Sequence, residues 1–539
     1  MKGLSKSKYT LFCQCPKALW LRTYKPEEET IDPGVEARFE KGNEVGDLAM
    51  QLFGPFVEVT SHKEDGSLDL AAMIERTKQE IEAGTDVICE ASFSYLFEQR
   101  IENFNAILGK ERGPLVIRRS ISNYCAVDIL RKTAGGWAIY EVKSSSSDDE
   151  KEENMEAFHK YAVDIAYQKW VLTQCGIKVT GTYLVCLNKD YVLDGELDIQ
   201  GLFRIVDLYE QVENELVKVP RQVRKAMQVI NTEDEPYLDL SEHCRNPYPC
   251  AFWNYCKQKN GVPLPSVFDV YGGKGRGGFS FKKKLQCYYD GNTTYESLRN
   301  MSLGTIQNMQ IESFLTGQEF INPKGIRKFL DKLSYPLYFL DFETMQDVVP
   351  KYQGTHPYQQ ITFQYSLHIK ESETADYEHR EFLAPSDGSD PRRSLAEQLC
   401  KDIPKDVCTL AYNKMFECGR IKELADLYPD LAEHLLNIRE HIVDLIDPFR
   451  AGDYYVPAMS GSFSIKSVLP ALFPKESTLD YHNLDERCQN GGHAMTIFPR
   501  IQFMEPEEAA ASREALLRYC ELDTWAMVKV WEKLRKMAK

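Results

Sequence analysis

The segment LYFLDFET, Leu337 to Thr344, sets two carboxylates into an apolar run. Such a run predicts a buried strand, and period-2 alternation puts Asp341 and Glu343 on one face of it. A buried charge is costly unless a metal or a partner takes it, so the fold around this strand must supply a counter-charge. Two later segments offer companions. In LAYNKMFECGRI, Glu417 follows a strand-like run where the chain enters a helix. In LLRYCELDTWAMV the helical period stacks Tyr519 and Asp523, i and i+4, on one face. Four carboxylates converging from a strand and helices can hold two divalent ions about 4 Å apart, one activating water and one stabilising a leaving oxygen. The Tyr519 hydroxyl would orient that water. Asp444, in HIVDLIDP, is a candidate auxiliary acid. The lysine and serines of GSFSIKSVLPALFP, Gly461 to Pro474, are able to touch phosphate, but the stretch reads as a loop before a buried helix.

A second acidic constellation lies upstream. YCAVDILRKTAGGWAIYEVK, Tyr124 to Lys143, predicts two strands joined by a glycine-containing turn, Thr133 to Gly136. Asp128 falls near the end of the first strand. Glu141 and Lys143 are two apart on the second, so they share a face and can lie beside Asp128. Two carboxylates offer hard oxygen ligands to Mg²⁺ or Mn²⁺, and the ammonium can steady an attacking hydroxide or phosphate charge. The same residue types also suit a surface salt bridge.

Of the 15 cysteines, an odd number, most lie singly in apolar segments, which suits buried thiols in a reducing cytosol. The exception is Cys244, Cys250 and Cys256, a C-x5-C-x5-C pattern in HCRNPYPCAFWNYC, with Cys13 and Cys15 far upstream in CQCPKALW. Four thiolates, one before the core and three after it, can bind a [4Fe-4S] cluster and clip a domain's two ends together. Zinc sites usually show tighter C-x2-4-C pairs, so this spacing leans towards iron.

A chain of 539 residues exceeds one ordinary domain. Helix and strand patterns alternate to about Val217, and the cysteine-rich segment closes a first region, 1–260. From 261 to 333 a linker or connector is expected, because YGGKGRGGFSFKKK, Tyr271 to Lys284, is glycine-rich and glycine raises the entropy cost of ordering. Its basic and aromatic residues also suit contact with phosphate and bases. A second α/β pattern fills 334–539 and ends in a helix, Ser512 to Lys536. The acidic run Asp148 to Glu153 reads as a solvated loop. With 65 Lys+Arg against 81 Asp+Glu, the net charge of −16 gives no global basic field to draw in a polyanion. A nucleic-acid substrate would need local patches and metal ions. The chain contains no run of about 18 apolar residues, and its first ten are polar where a secretory signal is apolar, so a cytoplasmic protein with no membrane partner is expected.

The upstream motifs resemble those of the PD-(D/E)XK nucleases, specifically the RecB-like exonucleases that include a CRISPR-associated group and the AddB-type nucleases. Asp128 matches the motif aspartate, and Glu141 and Lys143 match its E-x-K. Glu90, in CEASF, resembles an acidic residue that often precedes this core. Gln168, in DIAYQKW, falls where the family carries a glutamine on the following helix. The family's early helix often presents a metal-binding His four residues after a Gly; here Gly42 is followed at that spacing by Gly46. In these families one early and three late cysteines hold a cluster that staples the nuclease. The early one precedes a proline, as Cys15 precedes Pro16, so the resemblance implies a [4Fe-4S] cluster on Cys15, Cys244, Cys250 and Cys256.

The downstream set, over roughly Ser334 to Lys539, resembles the DnaQ-like, or DEDD, 3′-to-5′ exonucleases of the ribonuclease H-like fold. Asp341 and Glu343 match the first motif, Glu417 stands where the second usually has Asp in N-x2-F-D, and Asp523 matches the third. Tyr519 marks the DEDDy subclass, with Arg518 where the other subclass has His. Together the halves resemble a bacterial family that joins the two. The resemblance implies an α/β protein with an N-terminal PD-(D/E)XK, restriction-endonuclease-like domain bearing the Cys cluster and a C-terminal ribonuclease H-like mixed-sheet domain. It implies a Mg²⁺- or Mn²⁺-dependent phosphodiester hydrolase with two candidate active sites, trimming nucleic-acid ends in repair or defence. DNA is expected ahead of RNA, single-stranded or frayed. The rival expectation is a DNA-binding scaffold whose first domain grips without cutting, so that one 3′-to-5′ exonuclease site works alone.

Overall fold

The computed structural model of the chain describes residues 3–30, 34–103, 115–147, 152–273 and 278–539. Most of the acidic run Asp148 to Glu153 lies outside the described residues. The protein is mixed α/β and divides into two compact units, Met1–Gly261 with Val348–Tyr358, and Val262–Asp347 with Gln359–Lys539. Among the described residues no helix is long and apolar enough to cross a membrane.

The first unit is built on a seven-stranded mixed sheet, β1 (Gly3–Ser5), β2 (Val57–Glu58), β3 (Val87–Asn103), β4 (Leu115–Thr133), β5 (Gly136–Ser147), β6 (Val179–Asn188) and β7 (Phe203–Asp207). Its order is β2-β3-β4-β5-β6-β7, with β1 also pairing β4. The expected hairpin is β4-β5, closing on Thr133 opposite Gly136. A Cβ at Gly136 would overlap the Lys178 carbonyl oxygen, so glycine is what lets the chain entering β6 approach this turn. The β4-β5 ladder runs only as far as Ile129 opposite Tyr140. Beyond it the strands part, and β1 pairs in parallel with β4 from Ser122 to Tyr124. The fork opens at Asp128 and Glu141.

The pleat also changes at this rung. Cys89 and Ile129 pack in one core cluster, with Tyr140 and Val45, whereas Ala91 and Val127 pack in another, with Tyr161, Ile165 and Trp170 of the helix Glu152–Gln174. Strict alternation would keep Cys89 and Ala91 together. Glu90, between them, has φ 56°, a left-handed conformation unusual for a residue with a Cβ, and this switches the faces.

The second unit contains β8 (Phe320–Ile321), β9 (Leu337–Gln346), β10 (Gln360–Lys370), β11 (Tyr377–Leu383), β12 (Cys408–Ala411), β13 (Ile442–Asp444) and β14 (Tyr454–Tyr455). The main sheet runs β11-β10-β9-β12-β13, antiparallel across the first three strands and parallel across the last three, while β8 pairs β14 separately. Alternation along β9 divides its side chains. Tyr338, Leu340 and Phe342 pack with Leu395 and Leu399 of the helix Arg392–Asp402 and with Ile421 and Leu424 of the helix Met415–Leu427. Phe339 instead meets Trp531 of the 32-residue helix Pro506–Met537, ring centroids 5.8 Å apart. Asp341 and Glu343 share the parity of Phe339.

Of the stretch expected as a connector, residues 274–277 lie outside the described residues, and 262–273 and 278–333 are folded into the second unit. It carries the helices Phe281–Tyr289, Tyr295–Leu298, Thr305–Thr316 and Pro323–Leu330, with Leu285, Leu298, Ile311 and Ile326 buried. The Gln310 amide donates to the Asp269 carbonyl (3.0 Å) and to Tyr295, and its oxygen accepts from the Tyr271 N–H (2.7 Å). The glycine-rich run is short, and the apolar positions after it recur at helical spacing, so buried area outweighs the entropy of a few glycines. Leu298→Ala should therefore cost about 2–5 kcal/mol of second-unit stability by urea denaturation. A loss within about 0.5 kcal/mol, the scale of surface substitutions, would return the segment to a solvated connector.

Candidate functional site

In the second unit the sheet and the helix Pro506–Met537 bring the downstream acids together. Asp341, Glu343 and Cys520 each offer a ligand atom within 4.8 Å of the others. Tyr519 and Asp523, one turn apart, are buried. The Tyr481 hydroxyl donates to Asp523 Oδ1 at 2.6 Å, and Lys466 Nζ donates to the Tyr519 hydroxyl at 3.2 Å. Glu417 occupies the first turn of its helix, is 2% exposed, and leaves its Oε2 without a hydrogen-bond partner. Asp444 serves differently from an auxiliary acid. Its Oδ1 accepts from the Asn413 N–H (2.8 Å) and its Oδ2 from the Lys414 N–H (3.2 Å), holding the turn, with Asn413 at φ 67°, that launches Glu417's helix. Arg518 pairs with Glu514 and Glu521.

The electrostatics are one-sided. Burial first, then the charges of Asp523, Glu343 and Glu417, push the Asp341 carboxyl well above the usual range. Burial and Asp523 do the same to Glu343, and burial raises Asp523. Burial, with Asp444 adding to it, lifts Glu417 to about 8. The Lys466 ammonium opposes the shifts of Asp341, Glu343 and Asp523. Hard oxygen donors, excess buried negative charge and an orphaned carboxylate oxygen are a donor set that fits divalent cations.

In the first unit the fork between β4 and β5 gathers Asp128, Glu141, Lys143 and Gln168, with Glu90 close enough to feel the charge of Asp128. Asp128 Oδ2 accepts the Val142 N–H at 2.6 Å, a backbone donor the parted ladder leaves free. Glu141 is fully buried. Its Oε1 accepts from Lys143 Nζ (2.7 Å), its Oε2 from the Gln168 amide, and both oxygens from Lys6 Nζ, at 2.8 and 3.0 Å. Lys6 also lies 3.9 Å from Asp128 Oδ1, and Lys143 pairs with Asp164 at 3.2 Å. Burial pushes Glu141 up, but the ammoniums of Lys143 and Lys6 overcome it and hold the carboxyl at about 2. Burial and the charge of Glu141 raise Asp128 to about 6; burial and Asp128 raise Glu90 to about 7. Lys6 stands between Glu141 and Asp128, where a shared cation would have to be. As arranged, these residues do not fit a metal ion, and a Cβ at Gly46 would meet nothing within 4 Å, leaving open space where the resembling family has its His.

Cys15, Cys244, Cys250 and Cys256 line one small cavity with Phe252, Trp253 and Leu21. Cys15 ends the helix Lys6–Gln14 and begins Pro16–Tyr24, where Pro16 takes the first helical position. The Cys250 N–H donates to the Cys244 carbonyl (2.9 Å), and Cys256 follows on the helix Trp253–Lys259. The Gln14 amide ties the two ends, donating to the carbonyls of His243 (2.9 Å) and Tyr248 (2.7 Å). Burial and then its three companions raise Cys256 to about 12. Four thiols on one cavity suit a thiophilic metal group. Cys13 lies elsewhere, hydrogen-bonded to Tyr9 and packed on the main core.

Lys6, Asp164, Tyr481 and Cys520 were not foreseen in the sequence. Lys6 carries no local signature, since its partner Glu141 is 135 residues away. Lys466, read above within a loop, sits on the helix Ile465–Leu472 and reaches the acids.

Glu417 yields a stability prediction. Its carboxyl titrates near 4.5 when unfolded and at about 8 when folded, so between these pH values the folded state holds a proton that the unfolded state has lost. Stability of the metal-free second unit should fall as pH rises through that window, by a few kcal/mol. Glu417→Gln should flatten the slope, and Mn²⁺ should restore the wild type at pH 8. Thermal melts with and without Mn²⁺ read this out; a slope unchanged by the substitution would contradict the assignment.

Residues 338–464, which include Asp341, Glu343, Glu417 and Asp444, match the model of a family described as a domain of unknown function, DUF2779. The chain is 24% identical over 212 residues to the uncharacterized protein MG366 homolog of Mycoplasma pneumoniae, an alignment covering 37% of this chain and 32% of that protein. It is 26% identical over 230 residues to the uncharacterized protein UU173 of Ureaplasma parvum, covering 38% of this chain and 32% of that one. The chain thus spans about a third of the length of these relatives.

Proposed function

We propose that the chain is a metal-dependent nuclease whose working centre is the carboxylate cluster of the second unit. The observation that carries this reading is half-buried Asp341 set beside buried Glu343 and Asp523, all three opposed by Lys466, with buried Glu417 leaving its Oε2 unpartnered. Mg²⁺ or Mn²⁺ held by these carboxylates would supply Lewis-acid stabilisation of charge on a scissile phosphate. Tyr481 fixes the orientation of Asp523, and Lys466 fixes the Tyr519 hydroxyl, which is then held ready to hydrogen-bond an attacking water. The mixed five-stranded sheet, with two acids on its central strand, supports the DnaQ-like, ribonuclease H-like reading and hence 3′-end trimming. The substrate we infer is a nucleic-acid end, DNA ahead of RNA, single-stranded or frayed, in repair or defence.

The E-x-K hairpin in a mixed sheet supports a RecB-like, PD-(D/E)XK reading of residues 1–260. There a second reading is favoured by Lys6. With an ammonium between Asp128 and Glu141, the first unit grips DNA and does not cut it. Cys15, Cys244, Cys250 and Cys256 would hold a [4Fe-4S] cluster that staples its ends, a structural role.

Digestion of end-labelled single- and double-stranded DNA and RNA tests both readings. Asp341→Ala and Asp523→Asn should each lower 3′ trimming by more than the roughly 100-fold that losing a supporting residue costs, with the fold retained. Unchanged trimming in both variants would sink the nuclease assignment. In the Asp523→Asn background no cleavage should remain; residual Mn²⁺-dependent cleavage that vanishes on Lys143→Ala would overturn the gripping reading. Protein purified without oxygen should be brown, and Cys250→Ser should bleach it. Stoichiometric zinc without iron would refute the cluster type while leaving the four ligands standing.

A further inference from the structure

We propose that His368, His379 and Glu521 form a binding site for a zinc-class divalent cation, distinct from the carboxylate centre. His368 and His379 are direct cross-strand partners on β10 and β11, with ring centroids 4.6 Å apart. The helix Pro506–Met537 lays Glu521 against them, and each of the three offers a ligand atom within 4.8 Å of the others.

The second ring nitrogen of each histidine is already engaged. His368 Nδ1 is 2.8 Å from the Thr524 hydroxyl, and His379 Nε2 is 3.0 Å from the Ser366 hydroxyl. The two hydroxyls bond each other at 2.7 Å, and Thr524 also donates to the Glu521 carbonyl at 3.1 Å. This leaves His368 Nε2 and His379 Nδ1 for a metal, the latter 4.0 Å from Glu521 Oε1. Arg518 Nη1 holds the other carboxylate oxygen, Glu521 Oε2, at 2.9 Å. Outer hydrogen bonds that fix ring orientation and tautomer are what metal-ligating histidines ordinarily have. A paired imidazole and carboxylate set selects zinc and its first-row neighbours over Mg²⁺.

The three ligands border a cavity of about 800 Å³ that is also lined by Tyr377, Leu484 and Trp525, so a fourth coordination position faces open space. Glu521 and Thr524 flank Asp523 in sequence. A cation here ties β10 and β11 to the turn of helix that carries Asp523, and so fixes that turn's rotation.

The proposal rests on neither nuclease activity nor the cysteine site, and metal content tests it. The full-length chain, stripped of metal, is titrated with Zn²⁺ and with Co²⁺. Wild type should bind one more zinc per chain than either His379→Ala or Glu521→Gln, all three with the same circular dichroism. Cobalt at this site should give visible ligand-field bands that both variants lose and that Cys250→Ser retains. Equal zinc stoichiometry in wild type and in Glu521→Gln, a near-isosteric change at a partly exposed side chain, would overturn the proposal, as would cobalt bands lost on Cys250→Ser alone.

Discussion

A carboxylate taken out of water needs a counter-charge, and the two units of this protein provide it differently. In the second unit burial raises Asp341, Glu343, Glu417 and Asp523 alike, and repulsion from the neighbouring acids adds to it at Asp341 and Glu343, with Lys466 opposing the shifts of Asp341, Glu343 and Asp523. Protonation relieves that repulsion, and so does a divalent cation. At neutral pH the two would compete, and a cation bound to the charged form, as we propose, would make the cluster a folding asset in place of a liability. The tyrosines and Lys466 around it restrict how the carboxylates can turn, which is the pre-organisation that a charged reaction centre requires.

In the first unit the counter-charge belongs to the chain itself. Lys6 and Lys143 saturate Glu141, and the gain is large enough to hold that carboxyl at about 2 despite full burial. Asp128 and Glu90, less well matched, remain raised. The fork in the sheet makes this possible. By parting from β4 after Tyr140, β5 opens room for β1, and β1 delivers the helix on which Lys6 is the first residue. An internal ammonium is a permanent solution, whereas a bound ion would be exchangeable, and on that difference we propose chemistry for one unit and grip for the other.

The cysteine quartet that lines one cavity is drawn from two segments the chain itself keeps apart. The helix pair from Lys6 to Tyr24 and the segment from Cys244 to Lys259 are far apart in sequence, yet both terminate the same unit. The Gln14 amide on the Tyr248 carbonyl (2.7 Å) holds the helix pair to that segment, and the Trp20 indole N–H on the Thr232 carbonyl (2.9 Å) and the Lys17–Glu235 ion pair (3.0 Å) hold it to the stretch just before. Joining distant segments removes more loop-closure entropy from the unfolded chain than joining near ones.

What could be read from the chain alone was whatever depends on local period. Strand alternation put Asp341 with Glu343 and Glu141 with Lys143; helical period stacked Tyr519 on Asp523; glycine spacing marked the turn between β4 and β5. Tertiary structure decided what each of those faces meets. Lys6 reaches Glu141 across 135 residues, Tyr481 reaches Asp523 across 42, and the cross-strand pair of His368 and His379 meets Glu521 only because a helix begun at Pro506 crosses the sheet there. The helices from Phe281 to Leu330 belong to the same category, since composition favoured a connector and packing overruled it. Period fixes direction relative to the local backbone; partners are fixed by which buried surfaces close on one another, and that is a property of the whole unit.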